Sequence, residues 1–502
     1  MKYIFLFVNP TAGGNRASVF TDFGANEISF HKPYKCHLHI YNILEGETGK
    51  KPGFLHLSSV INNPREVDKN SQTLASSSKL FSSNNNSSVE GKSVESQNIK
   101  LEEENSKATK NFNSKNSTNV NKANEQKSRT ENGEKNNTDD NTRYIREGNE
   151  KTLGDVNKTV TAWDDENITA CVLVAGGDGT LNWFLQEAEY YNINDDKFAV
   201  GVIPFGTGND FAKAFGWKKM DGLFNYTFLF NILKKIVDQT FRSKIEKHDY
   251  WNINVVLKDN GYFNKISSKT KKKETLTENN KNIKTLKLCM SNYFSIGIES
   301  RIGRGFERHR QKSAFVNKLI YLVEGFKKII FKKNNPVNFI IDKMVTGQNF
   351  DNVIFTTNHN DNNSPPYPLL KKAMSIICVN IPSYSSGNDI WNYTHKLGLK
   401  LPKDLPSDQK KAYKDLKKSQ QEVGDGILEF VIYKSGVDLG LEFTLRGRAY
   451  RVHQGVGPWK IFFKEQECNV YFQVDGEYYL MSLPDFLSID HYKKINVLKN
   501  MV

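Results

Sequence analysis

Three apolar runs, at residues 2–8, 170–174 and 198–203, each end in a turn that carries glycine. Continuous apolar runs of this length suit strands buried on both faces of a parallel sheet. The turns are Asn9-Pro10-Thr11-Ala12-Gly13-Gly14, Gly176-Gly177-Asp178-Gly179-Thr180 and Gly206-Thr207-Gly208-Asn209-Asp210. Residues 36–43 alternate apolar and polar, as a further strand would. Residues 181–190, 210–216 and 226–236 have helical spacing. Strand and helix signals in alternation predict an α/β domain with a doubly wound parallel sheet.

Ligands of such sheets bind outside the carboxyl ends of the strands. Glycine lets the backbone approach a phosphate closely, and helix N-termini add N–H donors and a positive dipole end. Three such turns at one sheet edge predict a nucleotide-phosphate cradle. There is neither a GxxxxGK[ST] loop nor a GxGxxG followed by a spaced acidic residue, which argues against the P-loop and dinucleotide readings. Asp178, between glycines at a strand–helix turn, is placed to orient Mg²⁺, directly or through water, or to accept a hydroxyl proton.

The remainder divides by composition. Residues 58–157 are rich in Asn, Ser, Lys and Glu with sparse, aperiodic apolar positions, and such a segment buries too little surface to offset its ordering entropy. It reads as a disordered insert inside a nucleotide-binding domain formed by 1–57 and 158–243. From 244 to 502 short β-type runs dominate, including 286–296 and 439–445. They predict a β-rich sandwich domain with smaller inserts near 260–285, 333–371 and 393–420. One convincing helix is expected there, over 315–331.

The chain has 502 residues and a formal net charge of +14. The insert is nearly balanced, so the excess belongs to the folding parts and favours an anionic partner. Arg301, Arg304 and Arg308 share a face if helical, and Lys327, Lys328, Lys332 and Lys333 cluster nearby, a pattern suited to an anionic leaflet. No nucleic-acid-binding motif is present, so nucleic acid is not an expected partner. Cys36, Cys171, Cys289, Cys378 and Cys468 lie far apart without CxxC spacing, which speaks against zinc fingers and for a reducing compartment. No apolar stretch approaches the length of a spanning helix. A cytoplasmic protein, peripheral on the cytosolic face of a membrane, is expected; the oligomeric state is not legible.

The second and third turns, with Leu181-Asn182-Trp183 and Phe211-Ala212-Lys213 following them, resemble the catalytic signature of diacylglycerol kinases of the eukaryotic type. The resemblance continues through Asp249-Tyr250-Trp251, Asn292 to Glu299, Asn380-Ile381-Pro382-Ser383-Tyr384, Gly387 to Trp391, Asp425 to Glu429 and Gln473 to Glu477. It covers both folding regions and leaves the inserts out. Glu299 stands where the family usually has Asp, Ser386-Gly387 replaces a Gly pair, and Lys213 replaces Arg. Related turns occur in sphingosine, ceramide and NAD kinases, and a catalytically silent lipid-binding regulator is the alternative outside enzymes.

The resemblance implies transfer of the ATP γ-phosphoryl group to diacylglycerol in a membrane leaflet, giving phosphatidic acid, with Mg²⁺. It implies an ATP site lined by Asn9, Pro10, Thr11, Ala12, Gly13, Gly176, Gly177, Asp178, Gly179, Thr180, Leu181, Asn182 and Thr207. Gly206, Gly208, Asn209 and Asp210 complete the third turn. Asp475 or Glu477 would supply the base, and Asp178 the metal contact.

Overall fold

The computed structural model describes residues 2–62, 161, 163–206, 208–219, 226–267, 270–309, 311, 316, 320, 323–325, 327, 335–357, 373–394, 407–465 and 469–501. Strand β1 (Lys2–Val8) is flanked by β2 (Glu27–Phe30) and β3 (Cys36–Asn42) on one side. Helix α1 (Pro52–Asn62), β4 (Ala170–Gly176), helix α2 (Asp178–Tyr190), β5 (Phe198–Pro204) and helices α3 (Asp210–Ala214) and α4 (Tyr226–Arg242) follow. β1 pairs parallel with β3 from Lys2↔Cys36 to Val8↔Asn42 and with β4 from Tyr3↔Ala170 to Val8↔Ala175. β4 in turn pairs parallel with β5, up to Gly176↔Pro204. β2 runs antiparallel on β3. Every residue of β4 and β5 is buried, as their unbroken apolar runs require. Phe7 packs against Phe54 of α1 and Phe184 of α2 at ring separations of 4.8 and 4.9 Å. Truncating it to Ala should cost about 3–5 kcal/mol.

The sheet does not end at β5. Its next neighbour is the far end of β19 (Glu477–Lys499), parallel at Asn496↔Ala199 and Val497↔Val200. β19 pairs antiparallel with β6 (Lys244–Ile266) from Tyr479↔Lys265 to Lys499↔Lys244, with register shifts at three places. Both strands have 23 residues, and they run from the nucleotide-side sheet into the second region. The sequence-based division at 243/244 is therefore not a clean cut, because Tyr250, Ile381, Ile495, Val497 and Leu498 belong to the first core. Trp217 Nε1 donates to Leu498 O at 2.7 Å, sealing this junction.

Beyond the junction, residues 477–482 of β19 pair with β18 (Asn469–Val474), and 486–489 pair with β17 (Trp459–Phe463). β18 continues to β11 (Tyr293–Gly297), β14 (Ser375–Val379), β15 (Leu428–Tyr433) and β16 (Tyr450–Gly455), all antiparallel. β17 continues to β12 (Ile341–Thr346) and β13 (Asn352–Thr356), and β10 (Thr285–Met290) lines β6. Trp251, Trp459, Phe263 and Phe472 anchor the core of this region.

The 260–285 insert is ordered: β6 runs through it to Ile266, with Phe263 buried, and β7 (Lys273–Thr275), β8 (Thr277–Glu278) and β9 (Lys281–Asn282) follow. The 333–371 insert holds β12 and β13, because Val337, Ile341, Met344 and Phe355 drop into the second core. The 393–420 insert holds a lysine-rich helix, α6 (Ser407–Lys418), just after helix α5 (Ile298–His309) in element numbering. Arg451 Nη1 ties α6 down by donating to Leu416 O and Ser419 O, both at 2.7 Å. The 439–445 run is helix α7 (Gly436–Leu445), started by a capping interaction in which Asp438 N donates to Ser435 Oγ at 3.0 Å. The 286–296 run is broken into β10 and β11 at Ser291 and Asn292, whose N–H groups are taken by Asp475. Ordered chain extends past 57, since α1 ends at Asn62; positions 63–157, and nearly all of 315–331, lie outside the described residues.

Candidate active site

Because β1, β4 and β5 are adjacent and parallel, their three turns meet at one sheet edge. Asn9 Nδ2 donates to Thr180 Oγ1 at 3.2 Å, tying the first turn to the second. Asn9 Oδ1 accepts from Thr11 N and Thr11 Oγ1, while Gly13, Gly14 and Asn15 turn the chain with φ of 64°, 73° and 71°. At Gly176 a Cβ would stand 2.5 Å from Thr180 Oγ1, so only glycine fits. At Gly179 a Cβ would meet nothing within 4 Å, which marks open space over the first turn of α2. The third turn closes against the second: Gly206 N donates to Gly176 O, and Asn209 Nδ2 donates to Gly206 O at 2.7 Å. Thr207 lies outside the described residues.

Asp178 spans the second and third turns. Its Oδ2 accepts from Asp210 N at 3.0 Å and its Oδ1 from Phe211 N at 3.1 Å, so it caps α3. Burial, with Asp210 and Asp475 nearby, pushes its carboxyl up to about 7, even though the two N–H donors pull the other way. It keeps part of its surface exposed.

Asp210 is turned the other way. Its Oδ1 accepts from Ser383 Oγ (2.7 Å), Ser386 N (2.9 Å) and Gly387 N (2.9 Å), and its Oδ2 from Tyr293 OH (3.0 Å). Lys213 Nζ adds a bond to Ser386 O at 2.6 Å. These contacts hold a turn in which Ser385, Ser386 and Gly387 all have positive φ. Asp210, expected at the nucleotide, is thus an anchor for the second region.

Asp475 sits in a tight turn at φ +49°. Its Oδ1 accepts from Asn292 N (2.8 Å) and Tyr293 N (3.0 Å). Its Oδ2 accepts from Ser291 N (2.8 Å), Ser291 Oγ (3.1 Å) and Asn182 Nδ2 (2.8 Å). Asn182 Oδ1 accepts from Tyr250 OH. Both oxygens of Asp475 are saturated, which suits a structural clamp better than a proton acceptor. Asn182 is therefore engaged by Asp475 and Tyr250, and Leu181 is fully buried in the core; neither faces the turns as the resemblance implied. Glu477 is exposed, and its Oε2 accepts from Tyr479 OH of its own strand at 2.6 Å. The sequence reading gave no role to Ser291, Tyr250, Tyr293 or Ser383. Tyr250, Tyr293 and Ser383 had only their membership in the quoted motifs as a signal, and Ser291, just before Asn292, lay outside them.

The sequence of residues 105–240 matches the family model of the diacylglycerol kinase catalytic domain, and 289–478 that of the diacylglycerol kinase accessory domain. The chain belongs to the diacylglycerol kinase family. The family matches leave out β1 to α1 and the return of β19 to the first sheet. "Probable diacylglycerol kinase 3" of Caenorhabditis elegans is 27% identical over 337 residues, 65% of this chain and 37% of that protein. "Diacylglycerol kinase 4" of Arabidopsis thaliana is 24% identical over 335 residues, 61% of this chain and 62% of that protein. The chain spans less than two thirds of either relative. A solved diacylglycerol kinase of Bacillus anthracis, 15% identical, covers 66% of this chain and 76% of its own with a TM-score of 0.30, an overlap too slight to bear on the fold.

Proposed function

We propose that the chain transfers the γ-phosphoryl group of ATP to the free hydroxyl of diacylglycerol, giving phosphatidic acid and ADP. The observation that carries this reading is Asp178: a partly exposed carboxylate, raised to about 7, where three strand-end turns of a diacylglycerol kinase chain converge. A general base works best when its pKa lies near the operating pH. The acceptor oxygen attacks phosphorus as the bond to the ADP oxygen breaks, and Asp178 takes the hydroxyl proton. Gly179, in the first turn of α2, would offer its backbone N–H to the phosphates, while Asn9, Gly177, Thr180, Gly206, Gly208 and Asn209 would line the cradle. Asp475 positions this machinery by clamping α2 to the second region, and Glu477 is not needed as the base.

Among the described residues no group of three or more His, Cys, Asp or Glu side chains could hold a metal. The residues fit Mg²⁺ that arrives with the nucleotide and keeps its waters, with Asp178 as the one carboxylate to hold it, directly or through water. Such a cation would neutralise phosphate charge. Each Asp178 oxygen keeps a second lone pair beyond its bond to α3, so metal and acceptor can address different oxygens.

The finer fold reading goes with this function: a doubly wound nucleotide domain and a β-sandwich joined by β6 and β19. Among the described residues no helix is long and apolar enough to cross a membrane. Peripheral binding to an anionic cytosolic leaflet, supported by the +14 charge, brings the protein to its lipid. The test is purified protein with labelled ATP and Mg²⁺, offered diacylglycerol, ceramide, sphingosine and NAD side by side. Label should enter phosphatidic acid fastest; comparable labelling of another acceptor rejects the assignment.

A further inference from the structure

Helix α5 lies against the turn that bears Asp475. A Cβ at its Gly303 would run into the Tyr478 ring, and Arg301 stacks over Tyr471 of β18 at 5.4 Å. One turn along from Arg301 (i, i+3) is Arg304. Its Nε and Nη2 are sealed from solvent and have no hydrogen-bond partner. Neither reaches Glu307, which lies one turn further along the same helix. The charged and phenolic groups that act on Arg304 are Arg308, Tyr471 and Tyr262, with no carboxylate among them, and burial lowers its pKa. A guanidinium presents its N–H groups as a fork matched to planar or tetrahedral oxyanions. A buried charge with that fork unanswered is destabilising unless an anion completes it. The residue as a whole is only partly covered and Nη1 is not among the sealed atoms, so an oxyanion can approach the guanidinium from the Nη1 side.

We infer that Arg304 anchors an anion subsite, flanked by Arg301 and Arg308, that takes a phosphate group. Three cations on one helix face favour a multiply charged oxyanion over a single carboxylate. The phosphate can come from a lipid headgroup or from a free phosphoanion; both offer the same oxygens to the fork. The inference stands on the unpaired guanidinium and does not depend on the reaction proposed above.

The experiment is thermal unfolding of the full chain and of Arg304→Met, which keeps the stem and removes the charge. Each is measured in chloride, in inorganic phosphate at equal ionic strength, and with phosphatidylcholine vesicles with or without phosphatidic acid. In chloride the variant should melt no lower than the parent, because an unpaired buried charge has gone. Anion at ten times its Kd should raise the parent by about 2 °C and leave the variant's gain smaller by that amount. The readout is the difference between the two proteins, so anion bound at the strand-end turns, common to both, cancels. A difference in the phosphate arm alone assigns a soluble phosphoanion; one in the phosphatidic acid arm alone assigns a lipid headgroup. No difference in either arm, or a variant clearly less stable in chloride, overturns the subsite.

Discussion

Asn182, one turn along the helix that begins at Asp178, donates through Nδ2 to Asp475 Oδ2 over 2.8 Å and so joins residues 293 positions apart. The carboxylate it meets is already held by Ser291, Asn292 and Tyr293, so a change at one end is felt at both.

Asp475→Asn should therefore act first on folding. The amide nitrogen would face backbone N–H groups and leave buried donors unanswered, at a cost of about 3 kcal/mol. Urea unfolding should show an earlier midpoint, whereas Glu477→Gln should unfold like the parent and keep kcat within about threefold, well below a general-base contribution. A large kcat loss in a stable Glu477→Gln protein would move the proton to Glu477.

Asp178→Asn should lower kcat by at least about 10²-fold while the protein still folds. In the parent the ionised form is the active one. With the carboxyl raised to about 7, kcat/KM should climb as pH rises through that value and flatten above it. A flat profile between pH 6 and 8 would reject Asp178 as the base.

The glycines of the second turn separate packing from ligand contact. Gly176→Ala drives a methyl into Thr180 and should unfold or inactivate the protein. Gly179→Ala meets no protein atom within 4 Å and places a better helix former in the first turn of α2, so the melting temperature should hold or rise. The same methyl intrudes on the phosphate cradle, and the apparent KM for ATP should rise about tenfold or more, as a loss of about 1.4 kcal/mol would give.

Stability should peak near pH 6.5. His39 and His248, which are buried, and His453, which is half-buried, are held neutral, with values lowered to about 3, 4 and 4; they resist protonation, so stability is lost as pH falls below their unfolded value. Glu429, fully buried between the Gln421 and Gln454 amides, is raised to about 8 and is protonated in the fold near neutrality. Its unfolded form has already ionised, so stability falls as pH climbs from its unfolded value to about 8. Between pH 6.5 and 8 Glu429 should contribute a loss of about 2 kcal/mol, to which Asp178, raised to about 7, adds, and Glu429→Gln should shrink that limb in pH-resolved denaturation.

The strand-end turns were legible because burial on both faces leaves an unbroken apolar run, and glycine marks where it stops. Helix α2 carried its own evidence against a ligand role for Leu181, since Leu181, Phe184, Leu185 and Ala188 form one buried stripe. The resemblance overrode that periodicity. The saturation of Asp475 was not legible, because its donors are mostly backbone N–H groups, which carry no residue identity. Polar composition misled at 407–418, where Arg451 anchors a lysine-rich helix from outside its own stretch of sequence.

Asn496 bonds to Phe198 O across a separation of 298 residues. On the ribosome, β5 emerges long before the strand that covers its open edge. An exposed row of β-strand donors and acceptors is a site for mispairing with other chains. Domains usually close in order of synthesis, but here the nucleotide sheet waits for β19 and cannot finish folding before the second region is made. The nascent protein thus passes through a long interval with an uncovered sheet edge, and chaperone dependence should be greatest in that interval.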